Sequence, residues 1–136
     1  MSNDPPRGTR IAHIGMAVQS LEEILPIYRD VLALTEVPLD NADGARIIGL
    51  SAGESLVELL QAESPESPIA KFLAKRGPGI HHICFAVDDL DATLARCRAA
   101  GLRLIDERPR IGAEGKRIAF LHPSSTAGVL IELSDH

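Results

Sequence analysis

Two histidines and two glutamates stand at equivalent places in a chain that is written twice. Ile11-Ala12-His13-Ile14-Gly15-Met16-Ala17-Val18 returns as Ile80-His81-His82-Ile83-Cys84-Phe85-Ala86-Val87, and Leu56-Val57-Glu58-Leu59 returns as Leu130-Ile131-Glu132-Leu133. The histidines are 69 positions apart and the glutamates 74, so the copies are near-equal units that differ by a small loop insertion. Two imidazoles and two carboxylates suit a hard-to-borderline divalent ion, cobalt(II) or manganese(II) first, with nickel, zinc or magnesium as alternatives. A lone His in a strand is more often a hydrogen-bonded structural residue, and Glu58 alone could sit on an exposed face. The coincidence of all four at repeat-equivalent positions is what points to one shared metal centre.

The strand period of two says where these groups point. His82 shares a face with the small Cys84 and Ala86, opposite Ile83, Phe85 and Val87, and His13 shares its face with Gly15 and Ala17. Small neighbours leave space around each imidazole. Glu58 and Glu132 point away from the apolar face made by Val57 and Leu59 in one copy and by Val129, Ile131 and Leu133 in the other. A carboxylate set among leucines in a buried strand is costly unless it is paired or bound to a cation. His81 has the opposite parity to His82 and is expected to face away from the pocket.

The elements that must hold these residues read as β-α-β-β-β, twice. In the first unit, a strand over 11–18 leads through Ser20-Leu21-Glu22-Glu23, a capping-box pattern, into a helix ending near Leu34, kinked or ragged at Pro26. Short runs at 36–39, 46–50 and 55–61 follow, separated by turns at 40–44 and at Ala52-Gly53. A Pro, Ser and Glu connector brings a short helix over 69–75, stopped by Gly77-Pro78-Gly79. In the second unit, a strand over 80–87 feeds a helix capped at Asp88 or Asp89 and ended by Gly101, and strands are expected at 103–106, 117–121 and 129–134. The fold class is α+β: one domain over 10–136 made of two modules, 10–62 and 79–135, joined by a connector over 63–78, with a disordered tail over 1–9.

At 136 residues the chain suffices for one domain with its own core, so a metal here is expected to be functional. A formal charge of −5 and a pI near 5.5 argue against a nucleic-acid partner. Met1 to Thr9 lacks the apolar stretch of a signal peptide, and no apolar run approaches a membrane span. Cys84 and Cys97 form no C-x-x-C pair and read as core thiols in a reducing cytoplasm. Gly49-Leu50-Ser51-Ala52-Gly53 fits G-x-S-x-G, but it joins two β runs and is a chance match. Nucleotide-binding glycine motifs do not occur. Basic residues gather at Lys71, Lys75 and Arg76 and at Arg108, Arg110, Lys116 and Arg117, as solvated surface or as a handle for an anionic substrate.

Paired β-α-β-β-β units with an in-strand His and Glu in each resemble the vicinal oxygen chelate superfamily, which includes glyoxalases and extradiol dioxygenases. The blocks Ser67 to Gly77, Gly79 to Phe85, Arg108-Pro109-Arg110-Ile111-Gly112, Phe120-Leu121-His122-Pro123 and Gly128 to Leu133 are similar to the methylmalonyl-CoA epimerase family across nearly all of 11–133. That resemblance implies a glyoxalase-like open barrel, a homodimer, an acyl-CoA thioester substrate, and metal ligation by His13, His82, Glu132 and, where some members have Gln, Glu58. It implies epimerisation through a stabilised enolate; a carboxylate is mostly ionised at neutral pH and can act as base, which makes Glu132 and Glu58, one from each unit, the candidate catalytic residues. Two departures stand out: Ile47 lies where some epimerases carry a Glu base, and Glu114 lies where many relatives have His. If Glu58 stays firmly ligated, Glu36, Glu114 or an ordered water could serve instead. Rival readings are a glyoxalase I-like lyase acting on a glutathione hemithioacetal, an extradiol dioxygenase, and a metal-free sequestering protein.

Overall fold

The computed structural model describes residues 8–136. The tail expected over 1–9 therefore lies outside the described residues apart from its last two, and of these Gly8 donates its N–H to Asp88 Oδ2 at 3.1 Å.

Eight strands form one sheet: β1 (Arg10–Ala17), β2 (Thr35–Val37), β3 (Ala45–Ala52), β4 (Ser55–Ala62), β5 (Gly79–Ala86), β6 (Arg110–Ile111), β7 (Arg117–Leu121) and β8 (Leu130–Ser134). Their order is β2-β3-β4-β1-β5-β8-β7-β6, so the first strands of the two copies meet in the middle. There β1 runs antiparallel to β5, while β4 runs parallel to β1 and β8 parallel to β5. The sheet curls into a half-barrel of α+β type. Both edges end in short strands, which limits edge-to-edge association.

Helix α1 (Leu21–Pro26) starts where Ser20 Oγ accepts the Glu23 N–H at 3.3 Å. Proline has no N–H to continue the ladder, and past Pro26 the chain widens into a π turn over Ile27–Val31, closed by Leu32 N–H to Ile27 O at 2.9 Å. The helix therefore ends short of Leu34. Leu21 joins Val18, Leu50 and Leu59 in one core behind the sheet. On the same face of the second half, α3 (Leu90–Ala99) sets Leu90, Leu94 and Cys97 against Val87, Ala119, Leu121 and Leu133. Helix α2 (Pro68–Arg76), capped by Ser67, lies on the opposite face, where Ile69 joins Ala17, Ala45, Ile47 and Leu60. That face carries the site.

Asp89, not Asp88, caps α3: its Oδ1 accepts the Ala92 N–H at 2.9 Å. Asp89→Ala is expected to cost about 1 kcal/mol, read in a thermal melt as a fall of roughly 2–5 °C.

One expected strand is not formed. Residues 103–106 lie beside β7 but make only a bridge from Leu104 to Leu121. The cause is Asp106, whose carboxylate accepts the Phe120 N–H at 2.8 Å and the Arg110 Nε–H at 3.0 Å, taking a ladder donor for a side chain. Pairing resumes with β6, which the sequence pattern does not announce.

Candidate metal centre

The four repeat-related residues meet on the inner face of the central strands, all of them buried: His13 3%, Glu58 3%, His82 5% and Glu132 5% exposed. Register explains the convergence. One row across the sheet runs Glu58, Gly15, His82, and the next runs His13, Cys84, Glu132. In each row the His of one copy faces the Glu of the other across a small residue, and those small residues, Gly15 and Cys84, are themselves repeat-equivalent. The space between each imidazole and carboxylate exists because no large side chain fills it.

Gly15 is the tighter of the two. A Cβ added there would overlap the His82 imidazole. Gly15→Ala is expected to push that ring out of place at a cost of about 1–3 kcal/mol, and a metal titration of the purified variant would show weakened binding.

Two bulges set the rings. In the β1–β5 ladder Ala12 is an extra residue between the Ile11–Phe85 and His13–Cys84 pairs, and His81 is an extra residue between Gly15–His82 and Met16–Ile80. Each bulge immediately precedes a site histidine. Because a bulge suspends the period of two, His81 does not turn away as its parity suggests. Its ring stands edge-on to His82 and to Phe72, with Nδ1 2.9 Å from His82 Nδ1, and it lines the same pocket. Burial lowers its pKa to about 4.

His13 Nε2 lies 3.0 Å from His82 Nε2 and 3.0 Å from Glu132 Oε1, and His82 Nε2 lies 3.1 Å from that same oxygen. This triangle has the size of one face of a coordination shell, since ligands about 2.1 Å from an ion and at right angles stand about 3.0 Å apart. On the other side of the His13 ring, Nδ1 is 2.7 Å from Glu114 Oε2 and 3.2 Å from Glu58 Oε2. Glu58 Oε2 is a buried oxygen without a hydrogen-bond partner among the described residues. His13, Glu58 and His82 each offer a ligand atom within 4.8 Å of the others, as do His13, Cys84 and Glu132. The residues fit a divalent cation: an orphaned buried oxygen and three carboxyl groups around two imidazoles call for positive charge.

The electrostatics express the same demand. Burial alone would lower the His13 pKa, but Cys84, Glu114, Glu132 and Glu58 together push it up to about 12. Burial likewise works against an ionised Glu132, yet hydrogen bonds from His13 and His82 bring it down to about 2. For Glu58, burial wins over the attraction of His13 and, with the charges of Glu114 and Glu132, pushes it up to about 8. Two carboxyl groups in one site are thus driven in opposite directions.

Apolar Ile47, Leu60, Ile69, Ile118 and Phe120 wall the pocket, with Lys116 at its rim. Glu36 is not there: it is exposed and pairs with Arg29 at 3.1 Å. Of the basic groups, Arg117 pairs with Asp91, and Arg110 with Asp43 and Asp106 while lying over the Phe120 ring. His122 caps a 3-10 turn by accepting the Ser124 N–H, and His136 meets Asp88. The G-x-S-x-G match lies in the β3–β4 hairpin, without the helix a nucleophile elbow needs. The sequence pattern did not place Cys84 in the cluster; its signal was the face it shares with His82. Both cysteines are free thiols.

A curled sheet of paired copies with a His and a Glu from each turned into one pocket defines the class. The chain belongs to the Glyoxalase/Bleomycin resistance protein/Dioxygenase superfamily, whose model matches residues 12–120. Within it, the chain is a member of the methylmalonyl-CoA epimerase family. It is 41% identical over 128 residues to the ethylmalonyl-CoA/methylmalonyl-CoA epimerase of Cereibacter sphaeroides, covering 91% of this chain and 96% of that one. It is 37% identical over 128 residues to the human mitochondrial methylmalonyl-CoA epimerase, covering 91% and 72%. Among solved structures, the Mycobacterium tuberculosis methylmalonyl-CoA epimerase superposes with a TM-score of 0.88 at 36% identity, covering 99% of this chain and 91% of that one. A Streptomyces coelicolor methylmalonyl-CoA epimerase variant in complex with 2-nitronate-propionyl-CoA gives a TM-score of 0.88 at 36% identity, covering 93% of each.

Proposed function

We propose that this chain interconverts (2R)- and (2S)-methylmalonyl-CoA by moving the proton on the carbon between the thioester and the carboxylate. The observation that carries the reading is the meeting of His13 Nε2, His82 Nε2 and Glu132 Oε1 within 3.0–3.1 Å of one another, at the floor of an apolar pocket. It is supported by the family and by the relatives' substrates.

Losing that proton leaves a carbanion whose charge spreads into the thioester oxygen, and this enolate is the obstacle. A divalent ion held by His13, His82 and Glu132, with Glu58 beside them, would supply Lewis-acid stabilisation of the developing charge. The chain's own residues do the rest. Glu132 can take the proton on one face, and Glu58, on the other side of the His13 ring, can return one on the opposite face. In the reverse direction the roles exchange, and no electron leaves the substrate. Ile47, Leu60 and Phe120 exclude water, which strengthens each interaction inside and protects the enolate.

The homodimer and cytoplasmic location expected from the sequence belong to this proposal. Free Cys84 and Cys97 are consistent with a reducing compartment, and no helix among the described residues is long and apolar enough to cross a membrane. The test is proton exchange of methylmalonyl-CoA in deuterated water, with added cobalt(II) or manganese(II) and again after chelation. Exchange with interconversion is expected when the ion is present. No exchange in either condition, beside turnover of a glutathione hemithioacetal, would replace this reading with the glyoxalase one.

A further inference from the structure

We infer that Glu114 is a positioning residue for His13, holding its Nδ1–H so that Nε2 is presented to the metal ion. The inference rests on the metal reading above but not on the identity of the substrate.

A histidine that binds an ion through Nε2 must keep its proton on Nδ1, and that N–H needs an acceptor that fixes both tautomer and ring. His13 Nε2 is the nitrogen turned toward His82 and Glu132, so Nδ1 is the one that needs holding. Two carboxyl groups approach it. Glu114 Oε2 meets it at 2.7 Å in hydrogen-bond geometry, whereas Glu58 Oε2 stands 3.2 Å away and remains without a hydrogen bond. Glu114 takes the only proton on offer at Nδ1.

The loop that brings Glu114 here is built for the purpose. It links β6 to β7 over 112–116, closed by Gly112 N–H to Lys116 O at 2.9 Å and Gly115 N–H to Gly112 O at 3.0 Å. The backbone of the first half holds it from outside, through Asp40 N–H to Ala113 O at 3.1 Å, and Arg110 bonds Asp43 at 2.8 Å next to it. Gly112 packs on Ile118, where a Cβ would come within 3.0 Å of that side chain. A loop of the second copy is thereby pinned over the first copy's histidine, while the matching carboxyl group of the first copy, Asp43, meets Arg110 instead.

The test compares the full chain with Glu114→Gln and Glu114→Ala by titrating cobalt(II) calorimetrically without substrate, and by recording imidazole nitrogen NMR with zinc bound. Glutamine keeps an acceptor oxygen at similar reach; alanine does not. The expected result is a loss of metal affinity of about 10–100-fold in Glu114→Ala, most of it restored in Glu114→Gln. In the wild type the His13 spectrum should show the proton on Nδ1, and Glu114→Ala should lose that fixed tautomer. A thermal melt of the metal-free variants shows that both fold. Equal affinity and an unchanged His13 spectrum in Glu114→Ala would overturn the inference, as would a glutamine variant no better than alanine. A wild type that binds no ion would instead sink the metal reading itself.

Discussion

Glu132→Ala is expected to lose bound metal and turnover together, with kcat/KM down by about a thousandfold or more. A single oxygen, Oε1, sits 3.0 Å from one imidazole nitrogen and 3.1 Å from the other, so its removal dismantles the triangle. What remains is a pair of imidazoles with Nε2 atoms 3.0 Å apart in a buried space, an arrangement that favours a proton between them over a dication. Elemental analysis of purified variant and wild type, beside initial rates on methylmalonyl-CoA, checks this. A variant that kept a full complement of ion but turned over slowly would move Glu132 out of the ligand set and leave it a proton carrier only.

The second large effect separates those two roles at Glu58. Glu58→Gln preserves the shape and one acceptor oxygen, and some epimerases are expected to carry Gln at this place, so the ion should stay. An amide cannot carry a proton to or from the substrate as a carboxyl group can. Interconversion is then expected to fall by about 10²- to 10⁴-fold, while exchange with deuterated solvent survives only in the epimer whose α-proton faces Glu132. Exchange at the normal rate in both epimers would exclude Glu58 from proton transfer.

How much of this was legible in the residues depended on whether period or contact decided each feature. Repeat spacing and strand parity were enough to send His13, Glu58, His82 and Glu132 to one face, because period two governs any regular strand. The helix starts at Ser20 and at Asp88 or Asp89 were readable because a cap is a local hydrogen bond, whereas the Ser67 cap showed only in the structure. His81 was misjudged for the complementary reason: a bulge has no signature in a run of apolar and small residues, and one inserted residue reverses the parity argument. The stretch at 103–106 has strand composition, but Asp106 spends its carboxylate on the Phe120 N–H, a decision made by a residue fourteen positions away. Glu114 lies in a loop, where no periodicity assigns direction, so its hold on His13 could be seen only in three dimensions.

The alternation of donors across the β1–β5 seam has a mechanical consequence. An ion held by His13 of one repeat and by His82 and Glu132 of the other would clamp the two halves against sliding past one another. Amide hydrogens of the seam strands should then exchange with solvent more slowly in the loaded protein, while those of the three-residue β2 and two-residue β6 at the rims keep their own pace.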